Sequence, residues 1–163
     1  MKKKTPSKTK TPIRNALRND SSLQKVIRDG LGAVEAGHRG YLSEEVKSGI
    51  ADSLELDQAM KEGREQENRW DYLLGHADSA TVIALEPHAA KQDEVSTVIR
   101  KRTAAREQLR GHLKDNVHVA KWLWVASGKV QFADTEKARR LLDQNGIEFV
   151  GTKVLPKHFP KKN

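Results

Sequence analysis

The chain has 163 residues, a net charge of +8 and no cysteine. That length suits one domain plus a tail. The missing cysteine excludes disulfides, thiolate zinc sites and a cysteine nucleophile, and it fits a reducing, cytoplasmic compartment. No apolar run approaches the roughly 18 residues of a membrane span, and no apolar segment follows the basic N-terminus, so neither a membrane anchor nor a secretory signal is expected.

Positive charge gathers at the two ends. Residues 1–20 hold Lys2, Lys3, Lys4, Lys8, Lys10, Arg14 and Arg18 against Asp20 alone, with Pro6 and Pro12 among them. They read as a disordered basic arm. Residues 21–155 read as a single folded domain, and 156–163 as a basic tail. Such a balance favours nucleic acid as a partner; an ordinary solvated surface is the plain alternative.

After the arm, Ser21 or Ser22 can cap a helix in which Leu23, Val26, Ile27, Leu31 and Val34 fall at helical spacing. Gly30 and Gly32 weaken it, and Gly37 and Gly40 end it. Residues 42–63 are ambiguous. Ser43-Glu44-Glu45-Val46 starts like a helix, residues 53–57 alternate as a strand does, and Asp52-Ser53-Leu54-Glu55 resembles a capping box; a short helix or an irregular strand is expected there. Residues 70–74 read as a strand, followed by a turn containing Gly75, Asp78 and Ser79. Residues 81–85 read as a strand whose apolar run, Val82 to Leu85, is unbroken, as in a strand buried on both faces. Glu86-Pro87-His88 stands at the end of that strand, and because proline cannot donate to a ladder the strand must end or bulge there. A helix begins near Asp93, with Val95, Val98, Ile99, Arg102, Ala105, Leu109 and Leu113 along one side and Arg100, Lys101, Arg106 and Arg110 crowding the rest. Residues 119–126 form another buried strand, on which Trp122 and Trp124 share a face; Ser127-Gly128 ends it. Asp134 caps a helix, Asn145-Gly146 stops it, and residues 147–150 are the last strand.

Strands alternating with helices over residues 81–150 imply crossover connections and parallel pairing. The short connection between the first two strands implies an antiparallel pair. The fold class is therefore α/β, or α+β with a mixed sheet of about four strands. This arrangement sets Asp71, Glu86 and His88 at neighbouring strand ends in an apolar setting. Each also has a plainer reading: Asp71 as a turn cap or a partner of Arg69, Glu86 as an ordinary ion-paired carboxylate, His88 as a hydrogen-bonded structural residue. Ser127-Gly128-Lys129 lacks the remaining positions of a Walker A loop and is rejected as one. The six histidines show no metal-binding spacing, although His76 and His88 could converge across the hairpin. Trp122 and Trp124 fit core packing better than base stacking.

The order of these elements, with Asp71 opening one hairpin strand and Glu86-Pro87-His88 on the next, resembles the PD-(D/E)XK nuclease superfamily. The resemblance covers roughly residues 21–150 and implies a restriction-endonuclease-like three-layer core. It implies that Asp71 and Glu86, joined by Glu35 from the opening helix, hold Mg2+ or Mn2+, which activates water for attack on a phosphodiester. His88 stands where the motif has lysine, and Lys91, three residues on, is the other candidate for acting on water or phosphate. The function so implied is a metal-dependent nuclease, with Arg100, Lys101, Arg106 and Arg110 along the nucleic-acid backbone. A catalytically inactive module that binds nucleic acid, or an accessory subunit for an acidic protein partner, is the alternative.

Overall fold

Strand side chains alternate between two faces, and the apolar residues of this chain divide accordingly into two cores. Leu54, Leu73, Ala84, Trp122 and Trp124 point to one face of a sheet. Tyr72, Leu74, Ile83, Leu85, Leu123 and Val125 point to the other. The computed structural model describes residues 11–161.

The sheet has six strands: β1 (Arg28–Asp29), β2 (Ile50–Glu55), β3 (Tyr72–His76), β4 (Thr81–Lys91), β5 (Lys121–Gln131) and β6 (Ile147–Phe149). They lie side by side in chain order. The first four pair antiparallel, and β4, β5 and β6 pair parallel. Among the described residues there are six α-helices: α1 (Pro12–Ala16), α2 (Ala36–Arg39), α3 (Glu44–Ser48), α4 (Leu56–Ala59), α5 (Val95–Leu109) and α6 (Thr135–Gln144). Helices α1, α5 and α6 cover the first face. Val34, Leu42 and Val46, with Val154 and Phe159, cover the second. The chain is thus an α/β structure on a mixed, open six-stranded sheet. Among the described residues, no helix is long and apolar enough to cross a membrane.

Several elements form for reasons already visible in the residues. Asp134 Oδ1 accepts the Lys137 N–H at 3.0 Å and starts α6. Gly146, at φ +74°, ends that helix in the left-handed conformation that glycine tolerates. Ser43 caps α3, and Gly49 follows its last turn.

Other elements depart from expectation. The first ten residues of the expected arm lie outside the described ones, but Pro12–Ala16 is helical, with Ile13 and Leu17 completely buried. Ser21 does cap, yet the helix expected after it is only a 3-10 turn over Ser22–Val26, and β1 replaces its second half. Gly30 at φ +52° turns the chain there. The ambiguous stretch contains β2 followed directly by α4, so of the two strands beyond the expected four, β2 comes from a segment without a clean period and β1 from one with a helical period. Asp93 lies in a 3-10 turn and caps nothing; Glu94 precedes α5.

The strand at Glu86 does not end there. β4 runs on through Pro87 to Lys91. The β3 ladder stops at the Tyr72–Leu85 pair, so beyond Leu85 one side of β4 is an edge, and an edge accepts proline. β5 likewise continues past Ser127-Gly128, spanning four residues where β4 spans two, as a bulge.

Candidate functional site

The point where β3 leaves β4 is also where the charged residues meet. Glu86 is the first β4 residue beyond the ladder and points to the face covered by α5. Its carboxylate is fully buried. Oε1 accepts the backbone N–H of Asp71 at 2.9 Å. Oε2 accepts from Lys101 Nζ, one turn beyond Val98 on α5, and lies 3.3 Å from His88 Nδ1. The other His88 nitrogen, Nε2, is 2.6 Å from Glu94 Oε1. The carbonyl of His88 accepts the Trp124 indole N–H at 3.0 Å, which ties the histidine backbone to the aromatic core of Trp124, Phe132 and Phe149. The result is a continuous chain: Lys101, Glu86, His88, Glu94.

Asp71 stands beside this chain. Leu73, two residues on, belongs to the α5-covered core, and strand alternation gives Asp71 the same face. Burial raises the pKa of its carboxyl to about 7, with the Glu86 charge second and Lys101 opposing. Lys101, which bonds Glu86, acts on Asp71 only through its charge. His88 is pushed upward from its ordinary value, first by its hydrogen bond to Glu86. Asp57 is not free to join them, since Arg69 Nε donates to it at 2.9 Å.

The structure thus brings together Asp71, Glu86 and His88. It does not bring Lys91, which is exposed at the end of β4. Ala90 packs in the α5-covered core, so alternation turns Lys91 to the opposite face. Glu35 is not brought in either. Its N–H donates to the Tyr72 hydroxyl at 3.3 Å, on the face away from Asp71, and the carboxyl whose ionisation it opposes is Glu55. His76 bonds Ser79 at 2.7 Å and packs on Phe159, at the far end of β3 from His88. Trp122 and Trp124 are buried core residues, Trp122 edge-to-face with Trp70 at 5.1 Å.

The basic residues expected along one helix face have separate surroundings. Lys101 turns inward to Glu86. Arg100 is exposed and reaches only Thr97, at 3.3 Å. Arg106 and Arg110 line a cleft of about 480 Å³ together with Arg102, Lys114 and Trp122. Lys101 was legible as more than a surface charge: it falls between Val98 and Ala105 in the buried stripe of α5, and a lysine there requires a buried acceptor. Glu94 carried no such signal.

Among the described residues, no three histidine or carboxylate side chains converge as a ready metal cage. Asp71 and Glu86 still fit a small hard cation, which binds through one or two carboxylates and keeps several waters; the Glu86 charge, second to burial, raises the Asp71 pKa, and such an ion would offset that charge. Compared with known proteins, the chain matches no family model, no curated protein and no solved structure.

Proposed function

We propose that the chain is a metal-dependent phosphodiesterase of nuclease type, with a restriction-endonuclease-like core, acting on nucleic acid. The observation that carries this reading is the buried ion pair of Glu86 with Lys101 from the following helix, with a second carboxyl, Asp71, beside it on the adjacent strand. The resemblance to PD-(D/E)XK nucleases supports it: a carboxylate opens one hairpin strand, a glutamate lies on the next, and Lys101 takes the part first assigned to Lys91.

Asp71 and Glu86 would hold Mg2+ or Mn2+. That ion would supply Lewis-acid polarisation of the phosphate and a more acidic water. Lys101 neutralises charge that develops on the phosphoryl oxygens. His88, fixed between Glu86 and Glu94, holds a proton at the edge of the site, and its raised pKa keeps that proton to higher pH than a free imidazole would.

A second reading is a non-catalytic nucleic-acid-binding module. The observation favouring it is that Glu86 is fully buried and both its oxygens already have partners. The deciding experiment is calorimetric titration with Mg2+ and Mn2+ alongside cleavage assays on single- and double-stranded DNA and RNA, for wild type, Asp71→Asn and Glu86→Gln. Saturable metal binding and cleavage, both lost in the variants, are the expected result. Nucleic-acid binding that survives both substitutions, with no cleavage at millimolar metal, would establish the second reading.

A further inference from the structure

The cleft on the other side of α5 belongs to neither the carboxylate cluster nor its chemistry. With 3.6 residues per turn, the step from Lys101 to Arg102 swings the side chain away from Glu86 and over Trp122. Arg106 and Arg110 follow one and two turns further along. The cleft they border lies between the second half of α5, the loop after it and the start of β5. Its volume of about 480 Å³ is that of a small-ligand site.

Its walls are of two kinds. Arg102, Arg106, Arg110 and Lys114 supply four cations, against one lining acid, Asp115. Arg110 is paired with Glu107 at 2.7 Å. Arg102 has a buried Nε with no acceptor, and its guanidinium sits 5.5 Å from the Trp122 ring centroid. Leu113, Val117 and Val119, partly buried and packed on the core residues Leu109 and Trp122, form an apolar floor beside the cations. A bare anion would use the cations and leave the apolar surface wet. A purely apolar ligand would leave Arg102 and Arg106 without a counter-charge, and the ionisation of Arg102 is already opposed, first by burial and then by the Arg106 charge.

We infer that this cleft is a nucleotide site. Phosphate is held by Arg102, Arg106 and Lys114, and the base lies against the apolar floor with the Arg102 guanidinium as a stacking plane, a combination that recurs in the recognition of unstacked bases. The ligand is either a free nucleotide or an unpaired nucleotide within a strand. The site does not depend on metal binding at Asp71 and Glu86.

The test is calorimetry on the full chain with three probes: adenosine monophosphate, a short single-stranded oligonucleotide and inorganic phosphate. Each is applied to wild type, to Arg106→Gln combined with Lys114→Gln, and to Glu86→Gln. Arg106 and Lys114 are exposed, so the double variant keeps its fold, checked by thermal unfolding. At least one nucleotide-containing probe is expected to bind at least about tenfold more tightly than phosphate, and the double variant to weaken it about tenfold or more, as loss of charge-assisted hydrogen bonds requires. Glu86→Gln is expected to change nothing. Binding of the monophosphate assigns a free nucleotide; binding of the oligonucleotide alone assigns a strand. Phosphate binding as tight as nucleotide, or a double variant that binds like wild type, overturns the site. Nucleotide binding lost only in Glu86→Gln overturns it too, and moves the ligand to the carboxylate cluster.

Discussion

Two fully buried carboxylates, Asp52 and Glu86, lie near opposite ends of β3 on the same face of the sheet. Asp52 sits at the start of α1. Its Oδ1 accepts the Ile13 N–H at 3.2 Å and its Oδ2 the Arg14 N–H at 3.2 Å, with Arg14 Nη1 at 3.6 Å. It satisfies the orphan donors of a helix terminus and complements the positive end of the helix dipole. The residue opposite it on β3 is Gly75, and a Cβ there would collide with the Asp52 carboxylate. Glu86 is held instead by a mobile type of cation, a lysine, and has a second carboxylate beside it. The difference teaches what separates a structural acid from a candidate reactive one. Asp52 has two fixed backbone donors, and the acid that shares Arg14 with it, Asp29, is exposed to solvent. Glu86 has one backbone donor and a lysine, with the Asp71 carboxyl beside it, whose pKa is raised by burial and then by the Glu86 charge.

The largest effect expected from breaking this contrast is on activity. Asp71→Asn and Glu86→Gln should each reduce metal-dependent phosphodiester cleavage by at least about 100-fold, whereas Asp52→Asn should leave the folded fraction as active as wild type. Rates measured at matched folded concentration check this.

The order reverses for stability. Gly75→Ala forces a methyl group against the Asp52 carboxylate, and Asp52→Ala strips α1 of its acceptor while leaving Arg14 near a vacated buried site. Each should cost about 3–5 kcal/mol, the range for breaking a buried charged contact. Denaturant unfolding reads it.

Asp71 yields a smaller, pH-dependent effect in the metal-free protein. Its folded value of about 7 lies above the unfolded 3.8, so across that interval the folded chain binds more protons than the unfolded one. Its contribution is fully present below pH 4 and is lost as pH rises through about 7. The full shift corresponds to about 4 kcal/mol, and partial solvent access at Asp71 reduces the expected loss to about 2 kcal/mol. Asp71→Asn should flatten the fall in stability between pH 4 and 7. Saturating Mg2+ should flatten it as well, because metal and proton compete for the same oxygens. The smallest effect is at Asp134, an exposed cap that performs for α6 what Asp52 performs for α1. Asp134→Ala should cost about 1 kcal/mol.

Much of this architecture was legible from residue patterns. The apolar runs at residues 82–85 and 119–126 mark β4 and β5, the stripe from Val95 to Leu109 marks α5, and Asp134 and Asn145-Gly146 mark the ends of α6. Asp71, Glu86 and His88 could be read as neighbours because a short connection brings two strands together. Gly75 was misread as a turn residue. It lies within β3, and its real reason is the close approach of Asp52, a residue distant in sequence. The segment after Ser21 was misread as a helix, because Leu23, Ile27 and Val34 keep a helical period by coincidence while serving both cores.

By itself the sequence determined the alternation of strands and helices in the second half, the parity that divides apolar residues between two faces, and the candidacy of Asp71 and Glu86. These are local properties, set by period, caps and proline or glycine chemistry. Only the tertiary structure decided that β4 continues through Pro87, that Lys101 rather than Lys91 meets Glu86, that Glu35 lies on the other face, and that Arg102 leans over Trp122 in a cleft of its own. Each depends on how an element is rotated against its neighbours, and that rotation is set by packing across the sheet, which no local window of residues contains.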